Sequence, residues 1–182
     1  MKISSLLMHA IAGLCAFAPM ALADFAQEAV DRAEIGNVIA GAMLAYDRKD
    51  GEDFSSYFAP DGEMRIEIKP NPVVFKGAAL RNIFLEDTLP GASTDRRFVF
   101  TRSHLKLAVG ENWHLVTNSY IKLVRPDKAL HWAYWSWVLP AEQAGAPASV
   151  TEMGNYRDEL VKVNGKWLFS KHAITFGPLK PE

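Results

Sequence analysis

The chain has 182 residues and a formal net charge of −1, with 20 basic and 21 acidic residues interspersed along it. The absence of a basic stripe argues against a nucleic-acid-binding surface. A single cysteine excludes an intramolecular disulfide framework and a metal site built on several cysteines.

The N-terminal segment has the features of a secretory signal. An uncharged apolar run, Ile3–Ala23, follows a lysine and ends in an Ala-x-Ala sequence. A transmembrane anchor is the alternative. Gly13 and Pro19 interrupt the run, however, and the small residues at its end favour cleavage by a signal peptidase. We therefore expect residues 1–23 to be removed and the mature chain to be periplasmic or secreted, without membrane association. Residues 24–182 are enough for one domain with its own core.

The first half of the mature chain predicts helices. From Ile35 onward, apolar residues follow the three-and-four spacing of a helix with one buried face, and this helix ends at Asp47. The remaining predictions, in chain order, are a break at Asp50-Gly51, a short helix at Phe54–Phe58 ended by Ala59–Gly62, a strand at Met64–Lys69 ended by Pro70–Pro72, and a third helix from Ala78 to about Leu89.

The second half predicts strands. Arg97–Val109 alternates imperfectly and is either a strand or an irregular insertion. Segments rich in β-branched and aromatic residues follow: His114–Arg125, Ala129–Leu139, Val150–Val163 and Lys166–Phe176, with a loop at Ala141–Ser149. Asn164-Gly165 predicts a hairpin turn between the last two. Helices followed by antiparallel strands indicate an α+β fold, in which a curved, mostly antiparallel sheet wraps on the N-terminal helices. Such a sheet forms a cone with an apolar pocket.

Asp47 and His114 are the first candidates for chemistry. Asp47 lies four residues after Met43, at the edge of the apolar helix face, and the macrodipole disfavours an anion at a helix C-terminus by roughly 0.3–1 kcal/mol. A histidine on a strand can meet such a carboxylate in one cavity, where the carboxylate orients the imidazole and the imidazole transfers a proton. The alternatives are a solvated acid balanced by Arg48 and Lys49, and a histidine bonded to the backbone.

Further candidates come from strand alternation. His114, Val116, Asn118 and Tyr120 share one face of their predicted strand, and His131 and Trp135 share a face of the aromatic strand that follows. A strand so rich in aromatic residues is either core or the wall of a pocket for a flat apolar ligand. The other histidines, His104, His131 and His172, are interpreted as structural. The sequence has no Gly-rich phosphate loop, no G-x-S-x-G elbow and no H-E-x-x-H helix, so we expect no cofactor and no metal.

Several short motifs occur in a characteristic order. They are Tyr46-Asp47-Arg48-Lys49-Asp50, Phe58-Ala59-Pro60-Asp61, Gly77 before a helix, His114-Leu115-Val116-Thr117-Asn118, Gly154-Asn155-Tyr156-Arg157-Asp158 and Gly165-Lys166-Trp167. With these motifs the chain resembles the SnoaL-like branch of the nuclear-transport-factor-2-like superfamily, and most of all members related to scytalone dehydratase. The resemblance covers nearly all of residues 24–182 and implies a cone-shaped fold with a pocket.

The resemblance also implies roles for individual residues. In the dehydratase and dehydrochlorinase members an aspartate at the end of the first helix pairs with a strand histidine, and Asp47 and His114 match these positions. Tyr46 matches a pocket tyrosine of the dehydratase. The second histidine of the dehydratase has no counterpart, and Leu139 lies near its place. The superfamily also contains isomerases, epoxide hydrolases, dioxygenase small subunits and binding proteins, so the fold does not settle the function.

The leading hypothesis is an exported, cofactor-free lyase or isomerase that acts on a small apolar cyclic or aromatic molecule. His114 is the expected general base, Asp47 its orienting partner and Tyr46 a donor to a developing oxyanion. The candidate ligand-binding residues are Asn118, Tyr120, Trp135 and Tyr156. The alternatives are a non-catalytic binding protein and the small subunit of a larger enzyme. The resemblance also implies a homodimer.

Overall fold

A computed structural model describes residues 6–68, 70–84, 113–139, 141 and 146–177, with side chains from residue 23 onward. In chain order the elements are α1 (Leu6–Asp47), α2 (Gly51–Ser56), β1 (Phe58–Ile66), β2 (Val73–Lys76), α3 (Ala78–Arg81), β3 (Trp113–Arg125), β4 (Lys128–Leu139), β5 (Ser149–Val163) and β6 (Lys166–Phe176).

The chain divides into two compact units, residues 1–34 and 35–182. In the first unit, α1 carries an Arg32–Glu28 ion pair of 2.6 Å one helical turn apart. Within the described residues, no helix combines the length and the apolar character needed to cross a membrane. The sheet, the core and the candidate site all belong to the second unit.

Six strands form one curved, unclosed sheet in the order β2-β1-β6-β5-β4-β3. Neighbouring strands are antiparallel except for β1 and β6, which are parallel. The α+β fold class with a mostly antiparallel sheet is therefore confirmed. The core joins the apolar face of α1 to the inward faces of the strands, and includes Ile35, Ile39, Ala42, Met43, Phe54, Phe75, Leu160, Trp167 and Phe169.

Four long strands lie where the sequence predicts them, within one residue at every end. The predicted hairpin is also confirmed, because Asn164 and Gly165 have φ values of 51° and 81°, as the turn between β5 and β6 requires. The Arg97–Val109 segment and His104 lie outside the described residues.

Three predictions about the first half are corrected. Ala59–Gly62 belongs to β1, where a register shift between Phe58 and Glu63 absorbs the turn-forming residues. The four-residue strand β2 follows the Pro70–Pro72 break and was too short to produce a pattern. Helix α3 ends at Arg81, where Asn82 begins a turn, and the predicted end near Leu89 lies outside the described residues.

The end of α1 is a Schellman motif that positions the candidate site. Lys49 adopts a left-handed conformation with φ 59°, and the backbone N–H of Asp50 donates to the carbonyl of Ala45. The N–H of Lys49 donates to the carbonyl of Tyr46. These two bonds satisfy carbonyls of the last turn, so the helix ends abruptly and its last residue, Asp47, has a defined direction.

A buried row of polar side chains crosses the sheet. His131 on β4, Asp158 on β5 and His172 on β6 lie directly opposite one another in register. The two Asp158 carboxylate oxygens are 2.7 Å from Nδ1 of His131 and 2.8 Å from Nδ1 of His172. Ser119 Oγ lies 2.8 Å from Nε2 of His131. All three members of the row are at most 2% exposed, so the Asp158 carboxylate and the two Nδ1 atoms depend on each other for hydrogen bonds.

The row should be important for stability. Asp158→Asn should lower the free energy of unfolding by roughly 3–5 kcal/mol at neutral pH, because the amide N–H₂ group replaces a carboxylate oxygen that a buried histidine needs. The measurement is urea denaturation followed by tryptophan fluorescence. The control is Asp127→Asn, whose carboxylate is exposed and lies 3.4 Å from Arg125. Equal effects of the two substitutions would contradict this role.

The same row predicts acid sensitivity. Burial alone would raise the pKa of Asp158, but the charge of His172 and the hydrogen bonds from both histidines outweigh it and hold this pKa below the ordinary 3.8. A carboxylate with a lowered pKa contributes stability that is complete above the unfolded-state pKa and is lost as the pH falls through the folded-state value. The stability difference between the native protein and Asp158→Asn should therefore shrink below about pH 3.8.

Candidate active site

Asp47 makes two hydrogen bonds to one residue. The backbone N–H of His114 donates to Oδ2 at 3.0 Å, and Nδ1 of the His114 ring lies 2.5 Å from Oδ1. Because an ionised carboxylate only accepts hydrogen bonds, Nδ1 carries a proton in this arrangement and Nε2 of a neutral ring keeps its lone pair. Nε2 has no hydrogen-bond partner among the described residues, so the atom that would act as a base is unoccupied by protein.

Aromatic rings enclose the His114 imidazole. Trp137, its direct partner across the β3–β4 ladder, stacks on it with centroids 5.6 Å apart at 23°. Tyr46 meets it edge-on at 5.2 Å, and Trp135 lies 6.4 Å away. The side chains of His114 and Asp47 are only 10% and 15% exposed, so the hydrogen-bonded pair is largely screened from bulk water. The exclusion of water lowers the local dielectric constant and so strengthens the interaction between the carboxylate and the imidazole.

A cavity opens beside this pair. It has a volume of about 460 Å³ when the open space at its mouth is included. Its walls are mainly apolar and aromatic, with a few polar groups, as in small-molecule sites. The lining residues are Met43, Tyr46, Met64, Ile66, His114, Trp135, Trp137, Glu152, Tyr156, His172, Ile174 and Phe176.

The two tyrosines of the cavity have different surroundings. Burial, with the negative charges of Asp47 and Glu152, raises the pKa of Tyr46, so its hydroxyl stays protonated and can act as a hydrogen-bond donor. Burial also raises the pKa of Tyr156, whose hydroxyl donates to the sulfur of Met43 at 3.3 Å. Tyr46 can therefore stabilise a developing negative charge, whereas Tyr156 forms part of the wall.

A lysine lies close to the hydrogen-bonded pair. The Lys49 ammonium sits over the rings of Tyr46, Phe84 and Trp137, with distances to the centroids of 4.9, 5.4 and 5.8 Å. It has no hydrogen-bond partner among the described residues. Burial lowers the pKa of Lys49, and the charge of Asp47 partly opposes this shift. The alternative of a solvated acid balanced by Arg48 and Lys49 fits only in part. The charges of Lys49 and Asp47 interact, but Asp47 is 15% exposed and Arg48 pairs with Asp53 at 2.7 Å.

The structure brings some predicted residues together and separates others. Trp135 and Tyr156 line the cavity with the pair, and their rings stack 6.0 Å apart. Asn118 and Tyr120 do not line it: Asn118 is exposed, and Tyr120 is 60% exposed and stacks on Trp132. Their expected placement is corrected.

The reason for this correction is a β-bulge. Three residue steps on β3, from Thr117 to Tyr120, oppose two on β4, and Asn118 within the bulge has a φ of 53°. The extra residue reverses which side chains face inward, so alternation counted from His114 fails beyond the bulge. Ile121 packs against the core, and Ser119 bonds to His131.

Several lining residues were not predicted as site residues, among them three with polar side-chain atoms: Trp137, Glu152 and His172. Trp137 and Glu152 extend a row that starts at His114, in register across β3, β4 and β5. His172 lies on the wall formed by β6, although the sequence indicated only a structural role. The sequence contains all three residues, but only the pairing of strands that are distant in sequence places them in one cavity. Among the described residues no cluster of three or more His, Cys, Asp or Glu is arranged to hold a metal ion.

Several solved structures have a fold similar to that of this chain. An NTF2-like protein with a cystatin-like fold from Novosphingobium aromaticivorans has a TM-score of 0.66 at 15% identity, over 85% of this chain and 87% of that one. A candidate scytalone dehydratase from the same organism has a TM-score of 0.57 at 16% identity, over 85% of this chain and 89% of that one. A hexachlorocyclohexane dehydrochlorinase, LinA type 2, has a TM-score of 0.59 at 18% identity, over 86% of this chain and 91% of that one. At these identities the likeness shows the fold alone.

Comparison with families is more specific. No curated protein matches significantly. The family model described as the SnoaL-like domain matches residues 27–173, which include both Asp47 and His114 and most of the described strands. The family expected from the motifs is confirmed, and the chain belongs to the SnoaL-like domain family.

Proposed function

We propose that this protein is a cofactor-free lyase or isomerase that removes a proton from a small, largely apolar cyclic or aromatic molecule. The observation that carries the proposal is the double hydrogen bond from His114 to the Asp47 carboxylate beside a cavity. General-base catalysis needs a base held in one tautomer with its lone pair directed at a substrate. The fold is shared with proteins named as a dehydratase and a dehydrochlorinase, which supports lyase chemistry.

Each group of the site has a role in this proposal. His114 removes a proton from carbon through Nε2, and Asp47 stabilises the imidazolium that forms. The electron pair left on carbon moves into the substrate, and the Tyr46 hydroxyl donates to an oxygen on which charge develops. Lys49 lies near Asp47, whose negative charge partly opposes the lowering of the Lys49 pKa by burial. The aromatic walls bind a flat apolar ring.

Ring opening of 5-nitro-1,2-benzisoxazole tests this base directly. A base removes the proton from the ring carbon, the C–H electrons form the C≡N bond, and the N–O bond breaks to release a coloured phenolate. His114→Ala should lower kcat/KM by about a hundredfold or more, and Asp47→Asn by about tenfold or more, because one loses the base and the other its orientation. Absorbance of the phenolate measures the rate.

The matched control for the Asp47 variant is Asp61→Asn, which changes an exposed acid outside the cavity and should retain full turnover. Circular dichroism checks that each variant is folded. Equal turnover in the native protein and His114→Ala would contradict the proposed mechanism. A probe that binds in the cavity without turnover would support the alternative of a ligand-binding protein.

We further propose that the protein is exported, is cleaved after Ala23 and forms a homodimer. The uncharged run Ile3–Ala23 with its Ala-x-Ala end supports cleavage. Large apolar side chains exposed on β3 and β5, such as Leu115 at 52% and Met153 at 61%, support a second copy packed on the sheet. Intact mass of the exported protein should give an N-terminus at Asp24, and light scattering should give twice that mass. A retained Met1 would contradict the proposed cleavage, and a monomer would contradict the proposed homodimer.

A further inference from the structure

The position of His172 differs from that expected of a histidine with only a structural role. It is 2% exposed and lines the cavity, and its Nδ1 lies 2.8 Å from Asp158. Its Nε2 has no hydrogen-bond partner among the described residues. A histidine that only supports a core normally has both ring nitrogens satisfied within it. The proposed function uses His114 and leaves this second imidazole of the same cavity without a role.

The groups around His172 hold its ring in one orientation. The Tyr156 ring lies 4.7 Å away on β5, Phe169 lies 5.1 Å away on β6, and Phe58 lies 6.5 Å away on β1. Asp158 is itself held by His131, which contacts Ser119. Such a chain of supported groups fixes the tautomer and direction of a functional histidine.

One added proton would balance the charge of this row. The lowered pKa of Asp158 means that its carboxylate is ionised near neutral pH. With two neutral imidazoles the buried row would have a net negative charge, and this is costly away from water. One added proton on an imidazole makes the row neutral. Of the two imidazoles, only His172 lines the cavity, whereas Nε2 of His131 faces Ser119.

We propose that His172 is a second catalytic residue, which delivers a proton to the substrate while His114 removes one. This inference rests on the proposed function and specifies it. His114 Nε2 takes a proton from carbon, the C–H electrons form a double bond, and a carbon–oxygen bond breaks. The oxygen keeps that electron pair and takes a proton from Nε2 of His172. A halide leaves without needing this proton, so the site fits substrates that release a basic oxygen.

Two probes with different leaving groups test the proton donor. Ring opening of 1,2-benzisoxazole releases a more basic phenolate than its 5-nitro analogue does, so a proton donor helps it more. The measured quantity is the ratio of kcat/KM for the nitro probe to that for the unsubstituted probe. Because both values come from the same sample, a loss of folded protein cancels in this ratio. Free imidazole in water, a base with no fixed acid, provides the reference ratio.

In the native protein the ratio should be at least about tenfold smaller than with free imidazole, since protonation rescues the poorer leaving group. His172→Asn places an amide N–H near the position of Nδ1, so it keeps a donor for Asp158 but cannot transfer a proton. It should raise the ratio by about tenfold towards the imidazole value. His114→Ala should lower the rates with both probes.

The outcomes separate the two proposals. A native ratio equal to that of imidazole overturns the role of His172 even if His172→Asn does not fold. An unchanged ratio in a folded His172→Asn variant also overturns it, while a large loss in His114→Ala preserves the proposed base. Absence of turnover of both probes by the native protein would overturn the proposed function and this inference with it.

Discussion

The Asp47 carboxylate joins the end of α1 to the start of β3 through two hydrogen bonds to His114, one from the backbone and one from the ring. An anion at a helix C-terminus is unfavourable by itself, and these two donors offset that cost. The same contact fixes a strand position, a side-chain direction and a tautomer. The Schellman motif centred on Lys49 ends α1 directly after Asp47, and the two bonds to His114 hold the carboxylate.

The cavity is a consequence of how the sheet is registered. Two rows of residues cross it: His114 with Trp137 and Glu152, and His131 with Asp158 and His172. Each row places side chains from three strands next to one another, and each contains a histidine that lines the cavity. Proton removal and proton delivery both need groups held without bulk water between them. A sheet that aligns two such rows brings both histidines to one cavity.

Local patterns in the sequence predicted much of the fold, and failed where the structure depends on distant pairing. The Asn164-Gly165 turn and the long strands follow from side-chain chemistry and periodicity that a few residues carry by themselves. Strand β2 has too few residues to show an alternating pattern of apolar and polar side chains. The bulge at Asn118 interrupts the alternation of inward and outward side chains on β3, and the amino-acid sequence gives no sign of it. The position of Asp47 and His114 was expected from motif order, whereas the position of His172 follows from strand register, which one sequence does not show.

Nitrogen chemical shifts of ¹⁵N-labelled histidine report directly whether Asp47 fixes the tautomer of His114. At about pH 8, above the ordinary histidine pKa of about 6.5, a neutral ring shows which nitrogen carries the proton. We expect a protonated Nδ1 and a bare Nε2 for His114 in the native protein, and loss of this preference in Asp47→Asn. A native ring protonated at Nε2, or a tautomer that the Asp47 substitution leaves unchanged, would show that Asp47 does not hold His114 as a base.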